Sequence, residues 1–154
     1  MTTMKKYRAD AAIHFAKLGE EWADAAKAAY SVSQKRGEHP SWPAHYSACQ
    51  ALELYLKAFL RAKGADIDHL KYKVGHNLVR ALADAMEQDF DKIVTLSVAD
   101  EHVINKLNSH YQDRDFQYKG SGEFELVPIG LLIALLDRVN RPILGLCAQS
   151  GFTR

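Results

Sequence analysis

The chain has 154 residues, 47% apolar and 25% charged, and its 20 basic and 19 acidic side chains leave a formal charge of +1. That is one domain's worth of sequence. It excludes whole-chain disorder, a low-complexity or collagen-like class, and a protein that coats nucleic acid through bulk positive charge. Cys49 and Cys147 are isolated, with no CxxC and no Cys/His ligand spacing, so the sequence predicts no metal site and fits a reducing cytosol. The N-terminal MTTMKKYRAD lacks the apolar run of a signal peptide. The most apolar stretch, Leu126 to Leu136, has 11 residues where a bilayer needs about 20. The expectation is a cytoplasmic protein of one domain spanning residues 1–154, with no membrane segment and no cofactor.

Five helical segments follow in chain order. From about Tyr7 to Lys35, Ala11, Phe15, Leu18, Trp22, Ala25 and Ala29 recur at alternating spacings of four and three, the apolar stripe of a long amphipathic helix. Gly37, Pro40 and Pro43 break the pattern. A second helix begins at Ser41 or Trp42, tolerates Pro43 in its first turn, gathers Ala48, Cys49, Leu52, Leu56, Phe59 and Leu60 on one face, and stops at Gly64. Residues 65–75 read as a polar loop. A third helix is expected from His76 to Phe90 and a fourth from Val98 to Asp113. For the fourth, Ser97 is a candidate N-cap; Glu101 lies four residues later, too far on to close a reciprocal capping box. Arg114 to Gly122 reads as a loop, with a short ribbon pairing Phe116–Tyr118 with Phe124–Leu126. The last helix begins near Val127–Pro128 and is apolar nearly all round. Pro142 should kink or end it, and the tail after Ala148 should fray. Long amphipathic helices joined by modest loops predict an all-α, up-and-down antiparallel bundle of four to five helices. A helix apolar on every side is either central or shared with a second subunit. Together with Leu54, which lies away from the apolar face of its helix, it predicts a homodimer.

Three polar clusters can carry chemistry. Glu53 and Lys57 form an i,i+4 acid-before-base pair at the edge of the apolar face. The pair reads either as a border salt bridge or as the start of a phosphate-accepting groove that Lys57 and Arg61, one turn apart, would line. Gly75-His76-Asn77-Leu78 opens a helix, where His76 or Asn77 either caps it or joins free N–H groups in holding an anion. In the third cluster His110 and Arg114 are four residues apart, with Tyr111, Phe116 and Tyr118 nearby. Arg114 either pairs with a neighbouring acid or faces a ligand.

The segments ACQALELYLKAFLRAKG, VGHNLVRAL and LNSHYQDRDFQY, in that order, resemble the HEPN superfamily (higher eukaryotes and prokaryotes nucleotide-binding domains). Ala48, Glu53, Lys57 and Leu60 fill the pattern A-x-x-x-x-E-x-x-x-K-x-x-L. Gly75, His76, Asn77 and Leu78 fill G-H-[ND]-L, and Tyr111, Arg114 and Phe116 fill the later Tyr, Arg and aromatic. The resemblance spans roughly residues 46–118. It implies a bundle, usually a homodimer, that is either a metal-independent endoribonuclease, often the toxin of a toxin–antitoxin pair, or an inactive module binding nucleotide, RNA or a partner nucleotidyltransferase. In active members an Arg is followed, after a few polar residues, by a His that deprotonates the ribose 2′-OH while the Arg stabilises the phosphorane. Here the last histidine is His110, so no His follows Arg114. The expectation is a binding module without that nuclease activity. Its ligand candidates are Glu53, Lys57, Arg61, His76, Asn77, His110, Arg114 and Tyr118, and its partners are a nucleotide, RNA, an antitoxin or a nucleotidyltransferase. Local charge sharpens the picture. Lys57 to Arg80 carries six basic residues against two acidic, net +4, and Asp84 to Glu101 one against six, net −5. A small, salt-sensitive anion site beside the second helix fits that split.

Overall fold

The computed structural model describes residues 10–37, 41–112 and 126–150. Among these the chain is all helical, with no strand: α1 (Ala12–Arg36), α2 (Trp42–Ala62), a π-helical turn (His69–Val74), α3 (Leu78–Glu87), a 3₁₀ turn (Phe90–Lys92), α4 (Val98–Gln112) and α5 (Ile129–Ser150). The expected ribbon lies outside the described residues save for Leu126, as do the start of the first expected helix at residues 7–9 and the tail from residue 151.

Side-chain pairings fix the helix directions. Arg61 meets Asp10, Tyr55 meets Gly19 and Tyr46 meets Trp22, so α2 runs back along α1. His45 meets Val127, Tyr55 meets Asn140 and Ala58 meets Cys147, so α5 runs in the same direction as α2. In α4, Asp100 meets Arg138 and Tyr111 meets Tyr46, which sets it against both. The long helices α1, α2, α4 and α5 thus alternate in direction. The short α3 sits between α2 and α4, its first N–H held by the Asn108 side chain at 2.7 Å.

The centre of the molecule is α2, not the last helix. Tyr55, Leu56, Ala58, Phe59, Ala51 and Leu52 are at most 1% exposed, because α1, α3, α4 and α5 enclose α2. The last helix was expected to be central or shared. It buries one face (Leu132, Leu135, Leu136, Val139, Ile143, Cys147) and leaves Leu131 56% exposed. Pro142 neither ends it nor stops it short of Ser150. The ring removes a single intrahelical hydrogen bond, and buried Val139, Ile143 and Cys147 anchor the helix on both sides of it.

α1 buries a different face from the one its largest apolar residues mark. Ala12, Ala16, Gly19, Ala23 and Ala26 face the core, while Phe15 and Trp22 are half-buried and Leu18 is exposed. Small side chains let α1 and α2 approach closely. A Cβ on Gly19 would stand 3.1 Å from the Tyr55 ring, a ring whose hydroxyl is fixed by Asn140 at 2.6 Å. Residues 65–75 are no polar loop either. Leu70 and Val74 are buried beneath a π-helical turn, and the Asp66 carboxylate holds the His69 N–H at 2.7 Å. α3 is shorter than expected at both ends, starting after Asn77 and giving way at Asp89, a non-glycine residue at φ 66°.

α4 opens with a capping box that the spacing to Glu101 concealed. Ser97 Oγ accepts the Asp100 N–H at 3.1 Å and the Asp100 carboxylate accepts the Ser97 N–H at 2.8 Å. Arg138 of α5 then grips both Asp100 oxygens at 2.6 and 2.8 Å. These hydrogen bonds hold the Asp100 carboxyl at about 2.

Candidate functional site

Three of the sequence clusters converge on one carboxylate. Glu53, in the middle of α2, is 3% exposed. One of its oxygens accepts a hydrogen bond from Lys57 Nζ, one turn on, at 2.7 Å. The other accepts the Tyr111 hydroxyl from the last turn of α4. His76, in the turn that leads into α3, places Nδ1 3.1 Å from both oxygens. The periodicity of α2 turns Glu53 inward beside Leu52 and Leu56. Buried there, a carboxylate is tolerable only when its lone pairs are filled and its charge is met. Lys57, itself 9% exposed, meets the charge.

The imidazole is the outward-facing member. The His76 side chain is 71% exposed although its Nδ1 is engaged. A carboxylate has no proton to give, so Nδ1 carries the hydrogen of this contact, and Nε2 is the ring nitrogen not engaged by Glu53. Glu53 thereby sets both tautomer and ring orientation, and the Tyr111 ring stands edge-on to the imidazole with centroids 6.1 Å apart. Burial and the Glu53 charge push the Tyr111 hydroxyl far above its ordinary value, so it stays a donor. Cys49, one turn before Glu53, is pushed up by burial and by the same charge, which keeps it an inert thiol.

The remaining candidates separate. Arg61 donates from Nε to the Asp10 carbonyl at 2.8 Å and from a terminal nitrogen to the Ala65 carbonyl at 2.9 Å. It ties the chain ahead of α1 to the end of α2, and neither Glu53, Lys57 nor His76 is among those partners. Asn77 is the N-cap of α3, its side chain accepting the Arg80 N–H at 2.9 Å. With Asn108 on the Leu78 N–H, two of the N–H groups that an anion would need at this helix start are already taken. Lys57 is buried against Glu53 and does not line an open groove. His110 is half-buried in the last turn of α4, and Arg114 and Tyr118 lie outside the described residues. Tyr111, which fills the later Tyr of the resemblance, is absent from the ligand candidates, and what sequence reasoning missed is its bond to Glu53, because nothing local marks a partner 58 residues away.

One turn beyond this group, a separate cleft of about 510 Å³ lies between the end of α2, the π-helical turn and α3. Asp84 spans it, accepting from Arg80 Nε at 3.0 Å and from His69 Nε2 at 3.2 Å. Here Arg80, from the basic segment, is paired with Asp84 at the head of the acidic segment. No helix among the described residues is long and apolar enough to cross a membrane. The fold and site together define an all-α bundle built round a buried carboxylate that orients an exposed imidazole. No protein-family model, curated protein or solved structure matches the chain.

Proposed function

We propose that the chain is a HEPN-like, homodimeric helical module that binds a nucleotide or RNA at the face bearing His76. The observation that carries this reading is the convergence of three motif segments far apart in sequence on Glu53, with His76 held by Nδ1 and exposed beyond it. A purely structural carboxylate would be satisfied by Lys57 and Tyr111 alone. An imidazole fixed in one tautomer at the surface is a recognition group: neutral, it accepts a hydroxyl proton; protonated, it pairs with phosphate. Arg114 remains a proposed second contact on the strength of the resemblance. Titration calorimetry against nucleotides and short RNAs tests the reading. Binding should weaken at least tenfold in His76→Ala, while no heat with any of these ligands removes the ligand half of the claim.

A second reading, a metal-independent endoribonuclease of the toxin kind, draws support from the same carboxylate–imidazole pair, because that arrangement orients a general base. It predicts RNA cleavage in EDTA that leaves 2′,3′-cyclic phosphate ends and is lost in His76→Ala. Intact RNA after long incubation with excess protein rejects it. Stable co-purification with a nucleotidyltransferase or an antitoxin, without any effect on RNA, would instead favour a role as a partner subunit.

A further inference from the structure

The π-helical turn before α3 puts three consecutive side chains into solvent. Leu70 and Val74, at either end of the three, are both buried. The Gly75 N–H reaches back to the Leu70 carbonyl at 3.0 Å, so the turn is one residue wider than an α-helical one. Lys71, Tyr72 and Lys73, between the two anchors, are all exposed. Tyr72 is 71% exposed and is the single aromatic residue among the exposed large apolar side chains of the described residues. Its ring takes no part in the core. Lys71 Nζ stands over it, 5.1 Å from the centroid, which leaves the other face open.

The charge of this turn is unpaired as well. Elsewhere in the basic segment Lys57 pairs with Glu53, Arg61 with Asp10 and Arg80 with Asp84, and Lys63 lies over the Phe59 ring at 5.6 Å. Lys71 and Lys73 form no ion pair among the described residues. Of the two acids in the segment, Asp66 holds the His69 N–H and Asp68 precedes the turn. Tyr72 and His76 are four residues apart in the chain, hence within about 14 Å of each other.

We propose that Lys71-Tyr72-Lys73 holds an unpaired nucleobase stacked on the Tyr72 ring, with the two lysines on its flanking phosphates. Every base has a π-face, so an exposed ring binds a strand without reading its sequence. In a duplex each base keeps its faces against its neighbours, so the ring selects a single strand. Phosphate alone would need the lysines and not the ring. The inference rests on the nucleotide-or-RNA reading and narrows it to an oligonucleotide long enough to reach from Tyr72 to His76.

Fluorescence anisotropy of the full-length protein tests it with a short labelled oligo-uridine RNA, the matching oligo-thymidine DNA and a blunt RNA duplex. The parent should bind a single strand at least about tenfold more tightly than the duplex. A preference for RNA, a preference for DNA or none supports the stacking contact alike and identifies the strand it serves. Tyr72→Leu should weaken binding at least about fivefold and Tyr72→Phe by no more than about twofold, because stacking needs a ring and not merely bulk. Lys71→Gln combined with Lys73→Gln should flatten the slope of log affinity against log salt by roughly 1.4. All three positions are exposed, so helical circular dichroism should not change. Binding that falls in His76→Ala and is untouched in Tyr72→Leu overturns this inference and leaves the His76 site standing. Equal affinity for the duplex overturns it as well. A parent that binds none of the three probes overturns it together with the RNA reading on which it rests.

Discussion

Among the described residues, Asp100 and Glu53 each tie three segments together, and they do so differently. Asp100 joins the turn before α4, its first helical residues and Arg138 of α5. Every partner is a permanent donor, and the carboxylate does nothing beyond closing the fold. Glu53 joins α2, the approach to α3 and the end of α4. One of its partners is a titratable ring that is mostly in solvent. A clamp needs donors; a site needs a donor that also faces outward. By that distinction Asp100–Arg138 belongs to stability and Glu53–His76 to recognition.

The contrast is sharpest where the charge is removed. Glu53→Ala leaves Lys57 buried without its counter-charge and Tyr111 without its acceptor, and should cost about 3–5 kcal/mol in chemical denaturation. A loss under 1 kcal/mol would mean that Lys57 escapes to water and that the carboxylate is no keystone. Asp100→Ala loses the capping box and the bidentate grip together. It should cost about 2 kcal/mol, within the range for a cap plus a charge-assisted pair.

The acid limb of the stability curve separates the two regions further. Asp100 titrates at about 2 in the folded protein, below the ordinary carboxylate value of 3.8. Its stabilisation is therefore complete above the unfolded value and is lost as pH falls from about 4 to about 2. The parent should lose about 1–2 kcal/mol over that window, and Asp100→Asn should lose less. An unchanged acid slope in the variant would assign acid unfolding to other carboxylates. The smallest structural effect belongs to His76→Ala. With its side chain 71% exposed, it should change stability by under about 0.5 kcal/mol while abolishing whatever the site binds. A large loss of stability would recast His76 as a second clamp.

Periodicity made α2 legible, with its start at Ser41 or Trp42 and its stop before Gly64, because apolar side chains on one face and a glycine terminator are local signals. It misplaced the buried face of α1. Side-chain size favoured Phe15 and Leu18, but the packing distance to α2 is set by Gly19 and the alanines, and large side chains do not fit there. The chain between α2 and α3 read as loop because its polar residues are many, and two buried side chains, Leu70 and Val74, were enough to hold it. The candidate site was half legible. Glu53 and Lys57 are neighbours by spacing alone, and the resemblance singled out Gly75-His76-Asn77-Leu78 and Tyr111. What no spacing shows is that residues 53, 76 and 111 share one carboxylate, a contact made only when α3 and α4 fold back on α2. Glu101 masked the capping box because the acid that closes it, Asp100, is one residue earlier and shorter.

His45 carries one further consequence. Its ring lies between two carbonyl oxygens, Ser41 at 2.8 Å within its own first turn and Val127 at 2.8 Å, 82 residues later. The α1–α2 hairpin assembles from near neighbours, whereas α5 must return across the whole chain to the groove that α1 and α2 leave open. Val127 is docked on α2 two residues before that helix begins, and Cys147 closes its far end on the Ala58 carbonyl. The final helix is a wall of the bundle rather than an appendage, and a chain cut before residue 127 would lose the wall that meets Tyr55 and Ala58.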